Sequence, residues 1–175
     1  LDGVDNNVQV RKIFSNNRAF AALRGDGSIV SWGNSKFGGD SSGVDFNGLY
    51  NNLEVVNVVA TEGAFAALRN DGSVVAWGDS ALGASLDSVD LDGPVNNLYV
   101  RQLFSAPGAF AALRNDGSVV TWGLSRSGGD SAAVDFDGPR NDQRIVAIYS
   151  NFSNDAGGGG GAGAFAAIRA DGSVA

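Results

Sequence analysis

The chain has 175 residues, 43% hydrophobic and 18% charged, a balance that allows one domain with a sizeable core and argues against disorder. Nineteen acidic residues against twelve basic ones give a formal charge of −7, which opposes attraction to nucleic-acid phosphates. Cys and His are both absent, which removes thiol nucleophiles, the usual zinc sets, histidine bases and disulfides, and no apolar run approaches the ~18 residues of a membrane helix.

In chain order, LDGVDNNVQVRKIFS from Leu1 opens on an Asp-Gly turn signal and passes into an alternating stretch that predicts a strand. Ala19 to Gly33, AFAALRGDGSIVSWG, predicts a hairpin: both arms have a period of two, and Asp26-Gly27 lies between them. The polar connector NSKFGGDSSGVD from Asn34 then holds either a short edge strand or one helical turn, with Asp40-Ser41-Ser42 as a candidate cap.

This order recurs. Trp32, Trp77 and Trp122 are 45 residues apart, as are Phe20, Phe65 and Phe110, and the Asp-Gly turn returns at 71, 116 and 171. The repeats run 1–45, 46–90, 91–135 and 136–175, and together form one repeat domain over 1–175, the last copy incomplete because Ala175 falls before its Trp. In the third copy Val100, Gln102 and Phe104 alternate with Tyr99, Arg101 and Leu103. A single small sheet cannot bury its apolar faces alone, so Phe110, Leu113, Val120 and Trp122 are expected to pack against the adjacent repeat. Arg24, Arg69, Arg114 and Arg169 fall one per repeat and read as a ladder of solvated or locally paired side chains.

The fourth repeat carries a Gly-rich insertion at 154–163, which lengthens its Phe spacing to 55 and is expected to form a surface loop between the first two strands of that repeat. It is not a phosphate cradle: no Lys-Ser or Lys-Thr pair follows, and the next element is a strand.

The string GAFAALRNDGSVVTWG from Gly108 resembles the repeat of the regulator of chromosome condensation (RCC-type) family, with Ala112-Leu113, Asp116-Gly117 and Trp122-Gly123 at that family's positions and Gly128 at its next glycine. Where the family commonly has His, this chain has Ala19, Ala64, Ala109 and Ala164. The short, near-identical copies are closest to the tandem repeats of large bacterial secreted or surface proteins. The resemblance implies an all-β fold of β-propeller-like blades, each of three to four antiparallel strands, in a partial ring or open array.

Repetition without a reactive constellation leads to a non-enzymatic structural or protein-interaction scaffold, expected in a larger extracellular or cell-surface protein. The alternative is an intracellular propeller adaptor or a guanine-nucleotide-exchange-like regulator. The expected partner is a protein, or neighbouring repeats of the same longer chain, with no nucleic acid and no membrane span. It is expected to bind connectors or turns such as 38–45 and 127–135, not the Trp-centred packing. No catalytic or cofactor-binding residue is assigned. The acidic turns Asp45 and Asn47, Asp90 and Asp92, and Asp135 and Asp137 repeat the pattern Asp, apolar, Asp or Asn, Gly. They are turn formers first and calcium candidates second, because the longer acid series of a calcium loop is missing.

Overall fold

The computed structural model describes residues 9–46, 53–87, 89, 91, 98–132, 134, 144–151 and 162–175. Four small antiparallel sheets account for every strand described. Blade 1 holds β1 (Val10–Ser15), β2 (Ala19–Arg24) and β3 (Ile29–Gly33); blade 2 holds β4 (Val55–Ala60), β5 (Ala64–Arg69) and β6 (Val74–Gly78). Blade 3 holds β7 (Val100–Ser105), β8 (Ala109–Arg114) and β9 (Val119–Gly123), and blade 4 holds β10 (Ile145–Ser150) and β11 (Phe165–Arg169). A bridge between Ile168 and Val174 begins a third strand in blade 4. The hairpin expected at every Asp-Gly is present in the three complete sheets, with Phe20, Phe65 and Phe110 opposite Trp32, Trp77 and Trp122.

Each turn is tied by one aspartate. Asp71 Oδ1 accepts from the backbone N–H of Ser73 at 2.9 Å and from its hydroxyl at 2.6 Å. The same pair of bonds joins Asp26 to Ser28 and Asp116 to Ser118. The intervening Gly27, Gly72, Gly117 and Gly172 all sit at φ between 79° and 86°, a region closed to most side chains.

The first strand of each blade departs from simple alternation. A bulge shifts the register between Val100 and Gln102, and at the matching places in β1, β4 and β10. Val100 and Leu103 are therefore the buried pair of β7, while Gln102, expected to share a face with Val100, is exposed.

The core is divided among blade interfaces. Ala19, Ala21, Leu23 and Ile29 of blade 1 pack on Val55, Val58, Phe65, Ala67 and Trp77 of blade 2. Ala64, Ala66, Leu68 and Val74 pack in turn on Val100, Leu103, Phe110, Ala112 and Trp122 of blade 3. Ala111, Leu113 and Val119 meet Ile145, Ile148 and Ala167 of blade 4. The central strands β5 and β8 are thus buried on both faces, which is why they are rich in alanine: a small side chain lets two sheets approach one strand. Each large side chain buried this way contributes about 1.5–3 kcal/mol before conformational entropy is counted.

Two expectations need correction here. Phe110 and Trp122 face blade 2, but Leu113 faces blade 4, because the pleat sends residues an odd number apart to opposite sides. Val119, with Trp122, is buried in β9, and Val120 is only half-buried.

Candidate interaction surface

The connectors begin with a single 3₁₀ turn: Ser35–Phe37 in blade 1, Ser80–Leu82 in blade 2 and Ser125–Ser127 in blade 3. The side chains of Asn34 and Asp79 cap the first two by accepting from Lys36 N–H and Ala81 N–H at 3.0 and 3.1 Å. The helical turn lies upstream of the cap suggested by the sequence. Asp40 instead accepts from Ser42 N–H at 2.9 Å, and Asp130 from Ala132 N–H at 3.0 Å, in separate turns.

Gly38, Gly83 and Gly128 close these turns in the left-handed region. Each one receives the next blade. The Trp77 indole Nε1–H donates to the Gly38 carbonyl at 3.0 Å, and Trp122 does the same to Gly83 at 3.0 Å. A methyl group on Gly38 would lie 2.8 Å from the Phe65 ring, and one on Gly83 would lie 2.6 Å from the Phe110 ring. Trp77 and Trp122 are accordingly buried, each beside the phenylalanine opposite it in its own hairpin. Lys36 Nζ and Asp79 add an ion pair across the same joint at 3.3 Å, but with Lys36 largely exposed it contributes no more than about 1 kcal/mol.

Two further sets of backbone hydrogen bonds hold the joints. Gly27 O accepts from Val55 N–H at 3.0 Å, Gly72 O from Val100 N–H at 2.9 Å, and Gly117 O from Ile145 N–H at 2.9 Å. Asn17 N–H donates to Glu62 O at 3.2 Å, and Glu62 N–H to Pro107 O at 2.7 Å. The Trp-centred packing is therefore frame. The connectors and the Asp-Gly turn ends are what the frame presents.

At the turn end, between blades 3 and 4, a cleft of about 380 Å³ is lined by Arg101, Arg114 and Arg144 together with Gln102, Asn115 and Gly117. At the matching cleft between blades 2 and 3, Tyr99 stands where Arg144 stands here and Val56 where Arg101 stands, and the lining has two arginines, Arg69 and Arg101, beside Asp71. The cleft between blades 3 and 4 is a positive site on a chain of net charge −7. The arginine ladder is locally paired where its bonds are described: Arg69 Nε donates to Ser73 Oγ at 2.7 Å, and Arg169 Nη1 to Ser173 Oγ at 3.3 Å.

Hydrogen bonds set the ionisation of the exposed turn acids. The Ser28 hydroxyl, then its N–H, holds the Asp26 carboxyl below its ordinary value. The Ser173 N–H lowers Asp171 first and the Ser173 hydroxyl second, and Ser42 acts on Asp40 in the same order.

Of the calcium candidates, Asp45 is described, and its backbone carbonyl accepts from Arg69 Nη1 at 3.4 Å. Asn47, Asp90, Asp92, Asp135 and Asp137 lie outside the described residues. The serine that follows each Asp-Gly was a signal present in the sequence, at a constant offset. The arginine cleft was not, because Arg144 reaches it only through the stacking of one blade on the next.

No family model matches the sequence, and no curated protein matches it. Solved structures do match. Human WBSCR16 aligns over 98% of this chain and 48% of its own, with a TM-score of 0.58 and 18% identity. Prp20p from Saccharomyces cerevisiae, solved in a study of its binding to Gsp1p and histones, aligns over 92% of this chain and 44% of its own, with a TM-score of 0.59 and 16% identity. The same yeast protein, there called RCC1 (Prp20), was also solved with Kap60 bound. The CRINKLY WD40 ectodomain of the Arabidopsis thaliana receptor kinase ACR4 aligns over 99% of this chain and 57% of its own, with a TM-score of 0.55 and 15% identity. The chain thus spans about half the length of the solved chains that it matches. With its all-β blades, its Trp-Gly phrase and these neighbours, the chain has an RCC1-like propeller-repeat fold.

Proposed function

We propose that the chain is a non-enzymatic scaffold whose blades present turns and connectors to a protein partner, as part of a larger extracellular or surface-attached protein. The observation that carries this reading is the separation of frame from surface. Trp77 and Trp122 are spent on joints between blades, while Arg101 and Arg144, both exposed, line a cleft at the turn end. Loops on a rigid frame are where binding chemistry varies freely. Arg101 and Arg144 in one cleft suit an acidic segment of a partner protein, since guanidinium pairs with carboxylate in a two-pronged geometry.

The test is a double variant, Arg101→Glu with Arg144→Glu, compared with the parent in cross-linking capture from the extracellular fraction of the source cells. A partner held by the parent and lost by the variant at unchanged melting temperature supports the reading. A partner retained equally by both contradicts the assignment of the cleft.

The second reading, an exchange-factor-like regulator inside the cell, is favoured by the likeness to Prp20p, whose solved structures concern Gsp1p and Kap60. Acceleration of GDP release from a small GTPase on adding the chain would establish it, and an unchanged release rate would remove it.

A further inference from the structure

The three joints between blades are alike in their frame and unlike in one row of exposed side chains. Leu23, Leu68 and Leu113, and the turns Asp26-Gly27, Asp71-Gly72 and Asp116-Gly117, stand at the same place in each. The residue of the next blade that covers the turn glycine differs every time: Glu54 lies on Gly27, Tyr99 on Gly72 and Arg144 on Gly117, and all three are exposed. The bulge after the first residue of each first strand leaves the second residue, Val56, Arg101 or Val146, out of register and exposed as well.

The chemistry of the turn end therefore changes from joint to joint on a constant frame. Between blades 2 and 3, a cleft of about 470 Å³ is lined by Val56, Tyr99 and Arg101, with Val56 52% and Tyr99 45% exposed. Between blades 3 and 4 Arg101 lines the cleft again, now with Arg144 and with no acid among the described lining residues. Arg101 thus borders both clefts and joins them. One joint earlier Glu54 holds the covering position, and a carboxylate brought over Gly27 meets a like charge there.

We propose that the two clefts form one track for an extended acidic segment of a partner protein, with its carboxylates on Arg101 and Arg144 and an apolar or aromatic side chain on Val56 and Tyr99. The proposal rests on the scaffold reading above and adds the order of side chains in the bound segment. The first strands β4, β7 and β10 lie side by side, neighbours coming within 8 Å of each other, a distance that about two to three residues of extended peptide span. Each guanidinium takes a carboxylate through paired N–H donors, and the Tyr99 ring takes an apolar side chain on its face. Repulsion by Glu54 fixes the orientation, so the acidic end lies toward blade 4 and the apolar residue toward blade 2. The net charge of −7 favours a peptide with few charges over a nucleic acid, whose phosphates are repelled along their whole length.

The experiment measures fluorescence anisotropy of two labelled peptides, Glu-Glu-Ser-Phe-Ser and Glu-Glu-Ser-Ser-Ser, on the full chain. Two double variants are compared with the parent, Val56→Ser with Tyr99→Ser and Arg101→Gln with Arg144→Gln. All four side chains are exposed, and matching circular dichroism spectra verify that the fold is kept. The expected result is a Phe peptide bound about 5-fold more tightly than the Ser peptide by the parent. The Val56 and Tyr99 variant loses that advantage and keeps the Ser peptide, while the arginine variant weakens both peptides about 10-fold. Equal affinity of the parent for the two peptides overturns the track and leaves the arginine cleft standing. Binding of both peptides that the arginine variant does not change overturns the cleft and the track together. No binding of either peptide at about 1 mM overturns the track, and the capture experiment then decides the cleft separately. A short oligothymidylate bound more tightly than the Phe peptide overturns the choice of a protein segment as occupant.

Discussion

The indole N–H of Trp77 reaches out of its own blade and donates to the carbonyl of Gly38 at 3.0 Å, and Trp122 repeats this bond to Gly83 one repeat later. Trp32 occupies the same position in blade 1 and stacks on Phe20, their ring centroids 5.5 Å apart, on the open face. The same residue in the same local hairpin therefore has different energetic weight according to whether a blade precedes it. Replacing Trp122 by Phe removes a donor, leaves the Gly83 carbonyl without it and shortens a buried ring, at a cost of about 2–4 kcal/mol. Trp32→Phe is expected to cost less than about 1 kcal/mol. Thermal or denaturant unfolding of the two variants reads the gap directly; equal losses would contradict the joint assignment.

The glycines that close the connector turns make a second test. Gly83→Ala places a methyl group against Phe110 at a φ of 105°, combining backbone strain with overpacking for a loss of about 2–4 kcal/mol. Gly43→Ala is the control, since a Cβ there meets nothing within 4 Å. Its effect is expected within about 0.5 kcal/mol of zero. Similar melting temperatures for the two variants would mean that Gly83 does not receive the next blade.

Acid should weaken the turns in a defined direction. Asp26 is held below its ordinary value of 3.8 by Ser28, so the stability that it contributes is fully present above that value and is lost as pH falls through the lower folded value. Ser28→Ala removes the principal cause. The stability difference between parent and variant is therefore expected to be present at pH 7 and to shrink below pH 3.8. A difference that is independent of pH would show that the hydroxyl acts equally on both forms of the acid.

The sequence went far toward the blade and stopped at the joint. Alternation in AFAALR, the Asp-Gly turn and the 45-residue interval were enough to place β8 and β9 and their counterparts. Leu113 and Phe110 were read as one packing set because both are large and apolar, yet their separation by three residues sends them to different neighbours. The bulge after Val100 was illegible for a related reason: its cause is pairing with β8, whereas its own residues still alternate. The partner of the Trp122 indole was equally hidden. Gly83 lies 39 residues earlier, and only stacking brings the two together. For the arginine cleft, Arg101 and Arg144 belong to different blades, and neither is unusual within its own repeat.

Calcium can be tested on the acidic turns without further structure. If Asp45, Asn47, Asp90, Asp92, Asp135 and Asp137 bind it, millimolar calcium raises the melting temperature through binding to the folded state alone. Substituting Asp90 and Asp92 by Ala should then reduce the rise. An unchanged melting temperature assigns these acids to turn formation only.

The stacking of blades through tryptophan is the central claim, and indole hydrogen exchange measured by ¹⁵N NMR tests it most directly, because the chain has three Trp residues and each gives one Nε1–H signal. Trp77 and Trp122, buried and bonded to Gly38 and Gly83, are expected to exchange at least 100-fold more slowly than Trp32, in keeping with ~2.7 kcal/mol or more of protection. Three indoles exchanging at one common rate would contradict the joints on which the fold is built.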